Sequence, residues 1–180
     1  VITETQRAYT YLCLYGYTVE SIVINRIIPD GAGDGFFEEK LKEQRRHMAT
    51  IEEAFSPLTM LRASLMPREV VGRKVLEMLA DELFDKSDPT VTYSKESPMK
   101  IYEENGTSIL ALKLPFATDQ KVELYTRRDD LTLHVGAFKK SITLPHTMAN
   151  KKVLGAELKN GWLRIRFEGE EIGERKGRKG

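Results

Sequence analysis

Ser108-Ile109-Leu110-Ala111-Leu112-Lys113-Leu114 decides how the second half of this chain folds. An extended chain turns successive side chains to opposite faces, so Leu110, Leu112 and Leu114 share one face. The same period of two recurs outward from this stretch: Val122 and Leu124, then Leu131, Leu133 and Val135, then Ile142 and Leu144, then Leu163, Ile165 and Phe167. Turn signals at Asn105-Gly106, Asp129-Asp130 and Asn160-Gly161 separate the runs. Short alternating strands broken in this way predict an all-β antiparallel sandwich. Trp162 has the opposite parity to Leu163, which puts it on the outer face, at an interface or under the stems of neighbouring Lys and Arg.

Asp85-Lys86-Ser87-Asp88-Pro89 reads as a linker, and upstream of it the period changes. Thr3 and Gln6 have capping-box spacing at the start of a helix expected to reach about Tyr15, with Gly16 as its stop. Ser21-Ile22-Val23-Ile24 is a β-branched run suited to a buried parallel strand. Pro29 to Gly35 is a loop by composition, and Phe37, Leu41, Met48, Ile51 and Phe55 then follow helical spacing. Leu58 to Leu61 reads as a second strand. Pro67 suits the first position of a further helix, with Glu69 near its positive end and Val71, Val75, Leu79 and Leu83 as its apolar stripe. Two parallel strands cannot close a sheet by themselves, because both edges and one apolar face stay open. They are expected to pair with strands outside residues 1–85, from a missing N-terminal segment or a second chain. Val1 in place of Met points the same way, to a sequence that begins inside a longer parent. The fold class expected is an α/β fragment, the end of a parallel sheet with its helices, followed by the sandwich. The segments are 1–86, 87–169 and a charged tail at 170–180.

Composition narrows the function classes. With 41% hydrophobic and 31% charged residues the chain has the balance of an ordinary globular protein. No apolar run approaches the ~20 residues that span a bilayer, and residues 1–20 carry no signal-peptide pattern. The single cysteine, Cys13, excludes an intramolecular disulfide and a cysteine-rich zinc site, and fits a packed thiol in a reducing cytoplasm. A net charge of +1 gives no general reason to expect nucleic acid as a partner. His47, His134 and His146 lie on different elements without metal spacing, so no metal ligand is assigned. No G-x-x-x-x-G-K-[ST] is present: Gly31, Gly33 and Gly35 have no Lys-Ser/Thr after them. The run from Glu39 to Arg46 is a solvated helix face, and Arg175 to Lys179 a short basic, solubilising tail.

Four strings in order carry a resemblance: Glu4-Thr5-Gln6-Arg7-Ala8; Ile22-Val23-Ile24-Asn25-Arg26-Ile27-Ile28-Pro29; a helix bearing Gln44 and ending Ile51-Glu52-Glu53-Ala54-Phe55; and Leu65-Met66-Pro67-Arg68-Glu69-Val70-Val71-Gly72. Over roughly residues 1–85 the chain resembles the end of the ATPase domain of the arsenite-pump and tail-anchored-protein-targeting family, the ArsA-like ATPases. Leu112-Lys113-Leu114-Pro115, Leu144-Pro145 and Ala156 to Ile165 resemble the α-crystallin domain of small heat-shock proteins, which some bacterial ArsA-like ATPases carry at their C-terminus.

The resemblance implies a cytoplasmic, homodimeric parent in which ATP binding and hydrolysis open and close the dimer. Such a parent would act on a protein client or a membrane-associated partner. It implies ATP and Mg as cofactors, with the phosphate loop, the Mg ligands and the catalytic aspartate upstream of this segment, so the segment alone is expected not to be catalytic. Read from the residues alone, Asn25 is a strand-end turn residue. The resemblance implies instead that its amide meets the N6 and N7 edge of adenine. Ser64, Leu65, Met66, Pro67 and Arg68 would cover the other side of the base. The chain departs from the family at Ser64, where Pro is common. It also lacks a C-x-x-C clamp before the Gln44 helix and lacks arsenite-binding cysteines. Zinc-held dimers, the eukaryotic membrane-protein client and metalloid transport are therefore not implied. The sandwich lacks an I-x-I tail, since Ile172 stands alone, and Phe138 to Ser141 leave little room for a long exchanged loop. The alternative function is a non-catalytic protein-interaction or chaperone-like module built on the sandwich.

Overall fold

A computed structural model describes residues 1–31, 36–85, 87–117, 121–136 and 138–169. Gly33 and Gly35 of the expected loop, Lys86 of the linker and the tail at 170–180, with Ile172 and the basic run, lie outside the described residues. Contacts divide the chain into two compact units, Val19–Lys95 on the one hand and Val1–Thr18 with Glu96–Gly180 on the other.

The first unit holds β1 (Ser21–Ile27), α2 (Phe36–Phe55), β2 (Thr59–Ser64) and α3 (Arg73–Phe84). The two strands pair in parallel, Ser21 opposite Thr59 through Ile24 opposite Arg62, as the β-branched run predicts. The expected burial is corrected: none of residues 21–24 is buried and Val23 is 53% exposed, because two strands leave one face uncovered. Among the described residues of this unit, Phe55, Ala63 and Val75 are the buried apolar ones. The expected N-terminus of α3 is corrected: Pro67 does not open the helix. The chain from Leu65 to Gly72 is irregular, Gly72 takes φ +82, and the helix begins at Arg73. Glu69 is therefore not a first-turn acid, and Val71 lies outside the stripe and is exposed, whereas Val75, Leu79 and Leu83 face inward.

The second unit is the sandwich. Its strands are β3 (Met99–Glu104), β4 (Thr107–Lys113), β5 (Val122–Arg127), β6 (Asp130–Val135), β7 (Phe138–Thr143), β8 (Val153–Lys159) and β9 (Trp162–Phe167). They form an antiparallel four-stranded sheet in the order β3-β4-β9-β8 and a three-stranded sheet in the order β5-β6-β7. Asn105-Gly106 and Asn160-Gly161 are two-residue turns with positive φ at both positions, the geometry that twists with the strands it joins. A side chain at Gly161 would also meet the Cα of Pro115 at 3.1 Å. The third turn is shifted from its expected place: Asp130 already pairs with Arg127, and Arg128-Asp129 form the turn, with Arg128 at φ +57.

The alternating leucines meet between the sheets. Leu110, Leu112, Leu114, Leu131, Leu133, Ile142, Leu144, Leu163, Ile165 and Phe167 form one buried cluster, with Leu124 packed against it. Burying each such side chain contributes about 1.5–3 kcal/mol. Ile109 and Ala111, on the opposite parity of β4, are buried as well. Their cross-strand neighbours are Tyr102 and Arg166 for Ile109, and Lys100 and Arg164 for Ala111, long side chains whose stems cover the outer face. Trp162 is half-buried on that face, with the Lys100 Nζ 4.5 Å and the Lys113 Nζ 5.9 Å from its ring centre. Both lysines are held by Glu96, at 2.9 and 2.8 Å.

Helix α1 (Ile2–Leu14) completes this second unit, although its sequence was expected to belong with the α/β segment. Its start is also corrected: the N-cap is Val1 with no side-chain cap, so Thr3 and Gln6 form no capping box. Its end follows expectation, with Gly16 at φ +84 and the Gly16 and Tyr17 amides donating to the carbonyls of Cys13 and Leu12. Leu14 is only 1% exposed and joins the core cluster, while Tyr9 packs edge-on against Phe116 and Tyr11 against Phe138. Cys13 is buried, and burial pushes its thiol pKa up to about 11.

Candidate functional site

Parallel strands point their carboxyl ends the same way, and in open α/β sheets that end is where ligands bind. Asn25 and the segment 64–68 stand at the carboxyl ends of β1 and β2. The pairing is interrupted at Asn25 and Arg26: the register runs regularly to Ile24 and resumes with Ile27 opposite Ser64. Arg26 takes φ +62, a left-handed conformation that lets the strand bulge there. The Asn25 Oδ1 accepts from the Arg26 amide at 2.8 Å, the bond of a strand-end turn residue, and its side chain is exposed. Because that neighbour is an N–H donor, the oxygen must face it, which directs the amide nitrogen away.

Beyond the bulge the two strand ends are tied together. The Leu65 amide donates to the Ile27 carbonyl at 2.7 Å. Ser64 and Met66 are half-buried; Leu65, Pro67 and Arg68 are exposed. The structure thus brings Asn25 to the same sheet end as Ser64 and Leu65, and carries Met66, Pro67 and Arg68 onward in the irregular segment. A cavity of about 430 Å³ opens beside Asn25, lined by Ile24 to Ile28 and by α2 side chains. None of residues 64–68 lines it, so it lies on the α2 side of the strand end and is not an enclosure between the two predicted walls.

Two helix side chains hold these strand ends, and neither was among the predicted site residues. Gln44 on α2 meets Ile28 with both ends of its carboxamide: the Ile28 amide donates to Oε1 at 2.7 Å, and Nε2 donates to the Ile28 carbonyl at 3.0 Å. Glu82 on α3 accepts from the Ser64 amide at 2.8 Å, and hydrogen bonding first from the Ser64 hydroxyl and then from that amide lowers its carboxyl pKa. Gln44 stood in the sequence only as part of a helix; nothing in its spacing signalled Ile28. No sequence signal pointed to Glu82.

Among the described residues, no group of three or more His, Cys, Asp and Glu is placed to hold a metal ion. His47 stands by Glu43 at 3.6 Å on the exposed face of α2, and His134 packs edge-on against Tyr125. Among the described residues no helix is long and apolar enough to cross a membrane.

Residues 1–85 match the family described as anion-transporting ATPase, and residues 105–167 match the HSP20-like domain found in ArsA. The "Putative arsenical pump-driving ATPase" of Chlorobaculum tepidum is 32% identical over 173 residues, covering 96% of this chain and 43% of that protein. A protein of the same name, numbered 1, from Aquifex aeolicus is 31% identical over 154 residues, covering 83% of this chain and 39% of its own length. The chain therefore spans about two fifths of these relatives. Heat shock protein 16.0 from Schizosaccharomyces pombe, a solved structure, aligns with 48% of this chain and 84% of its own at 19% identity and a TM-score of 0.31.

Proposed function

From a chain that belongs to the ArsA-type anion-transporting ATPases in residues 1–85 and carries their HSP20-like domain in residues 105–167, we propose the following function. The α/β unit supplies the adenine side of the nucleotide site of a larger ATP hydrolase. ATP-driven opening and closing of a homodimer would then act on a protein client or a membrane-associated partner. The observation that carries this reading is the bond from Leu65 to Ile27, which sets Asn25 and Ser64 at one end of a parallel sheet. A base laid there meets the Asn25 amide from one strand and the 64–68 segment from the next. In this reading the phosphates and Mg are held by residues of a segment that precedes this one in the parent, so no step of the chemistry falls to these residues. The domain boundary, by this proposal, lies near residue 86, with the tail after 169 outside both domains.

The test is Asn25→Ala in the protein joined to its preceding segment. The base is remote from the γ-phosphate, so loss of one hydrogen bond there should raise the Michaelis constant for ATP about three- to tenfold and spare the turnover number. An unchanged Michaelis constant with a reduced turnover number would contradict the assignment.

A further inference from the structure

We infer that Gln44 is a positioning residue for the base site, an inference that rests on the reading just proposed. Its carboxamide takes both the N–H and the C=O of Ile28, at 2.7 and 3.0 Å, from a helix that follows the strand in sequence. That two-point grip stands in for a partner strand, and it fixes the rotation of the peptide planes on either side of Ile28. The neighbouring residue, Ile27, gives its carbonyl to the Leu65 amide, so the wall formed by residues 64–68 hangs from the same short stretch of backbone. One residue further back, Arg26 is left-handed and donates its amide to the Asn25 side chain. A left-handed Arg is strained relative to the ordinary basin and persists only where the surroundings hold it. The ladder up to Ile24 anchors it on one side, and the bond from Leu65 to Ile27 together with the grip on Ile28 anchors it on the other. Release of Ile28 leaves the bond from Leu65 to Ile27 as the remaining anchor on that side, so Arg26 is less firmly held, and with it the direction in which Asn25 offers its amide and the place where Leu65 is held.

Gln44 touches no base in this scheme. It acts through backbone two to three residues away, and its loss lowers the fraction of chains whose strand end is set for binding. Apparent affinity falls by that fraction. Two neutral hydrogen bonds removed together correspond to roughly a tenfold fall.

The protein joined to its preceding segment can be tested by amide NMR, with adenosine monophosphate as the probe and uridine monophosphate as its control. In the unaltered chain, AMP should shift the amides of Asn25, Arg26 and Leu65, and UMP should not. Gln44→Leu should speed hydrogen exchange at the Ile28 amide and weaken the AMP response about tenfold. Gln44→Glu keeps the acceptor for the Ile28 amide and removes the donor, so it should recover part of the loss. Circular dichroism checks that each variant is folded, and the Glu variant, closest in shape, serves should the Leu variant unfold. Graded recovery by Glu is not expected if Gln44 merely fills space. AMP binding as strong in Gln44→Leu as in the unaltered chain, or Ile28 exchange unchanged, overturns the positioning role while leaving the base site standing. No AMP shift in the unaltered chain overturns the base site itself and this role with it.

Discussion

Replacing Leu14 by Ala tests where helix α1 belongs. Leu14 is 1% exposed and lies in the cluster with Leu110, Leu133, Leu163 and Phe167. Truncating a leucine in such a site costs about 2–5 kcal/mol, from lost transfer energy and from the cavity left behind. The higher helix propensity of Ala returns only a few tenths of a kcal/mol. With a urea dependence of about 1–3 kcal/mol per molar, a loss near 3 kcal/mol lowers the midpoint by roughly 1–3 M. Trp162, the only tryptophan, sits on β9 of the sandwich, so its fluorescence reports that unit. Leu14→Ala should therefore move the Trp162 transition as Leu163→Ala does. Leu76→Ala, on the 54% exposed position of α3, should leave that transition within about 0.5 kcal/mol. A Trp162 transition that ignores Leu14→Ala yet responds to Leu163→Ala would refute the placement of α1 in the sandwich core.

Two further outcomes are expected. The 180-residue chain alone should show no Mg-dependent ATP hydrolysis, because positioning and electrostatic stabilisation by phosphate-binding groups supply most of phosphoryl-transfer catalysis; turnover by the purified chain that a point change within it abolishes would disprove this. Cys13 should resist alkylation. Burial raises its pKa from 9.0 to about 11, so at pH 8 its thiolate fraction is about a hundredfold below that of the unfolded chain, and its burial slows attack further. Iodoacetamide uptake at pH 8 should be slow in buffer and fast in denaturing urea, and equal rates would count against the buried site.

Much of the sandwich was legible because strand period is a local property. Leu110, Leu112 and Leu114 announce an inward face whatever lies opposite, and Asn-Gly pairs announce their turns through the cost of positive φ for other residues. The turn at Arg128-Asp129 was harder to place, since Arg carries no such signal and only the pairing of Arg127 with Asp130 fixes it. Helix α3 was misplaced for a similar reason. Pro67 is compatible with a helix start but equally with an extended segment, and the left-handed Gly72 decides in favour of a start at Arg73. What α1 packs against was not legible from its own residues. An apolar stripe of Tyr9, Cys13 and Leu14 says that the helix needs a hydrophobic partner and is silent on which one.

For the candidate site, the strand ends and the place of Asn25 at one of them could be found from the order of the sequence strings. Its local use as a strand-end turn residue was legible from its type, whereas the left-handed Arg26 that goes with that bond was not. Gln44 and Glu82 were illegible as site residues, since each bonds backbone sixteen or eighteen positions away and nothing in either side chain names its partner.

The Gln44 bond also has a bearing on how far the parallel sheet can grow. Ile27 turns its carbonyl toward β2, so the backbone groups of Ile28 point to the opposite edge of β1. On that edge both are already taken by Gln44. A strand laid alongside β1 there finds open donors and acceptors only upstream of Ile28, and its ladder has to end where the side chain begins. The same carboxamide thus works as an end stop, limiting the length over which a new strand can zip onto the sheet and leaving that corner unable to template an unwanted neighbour.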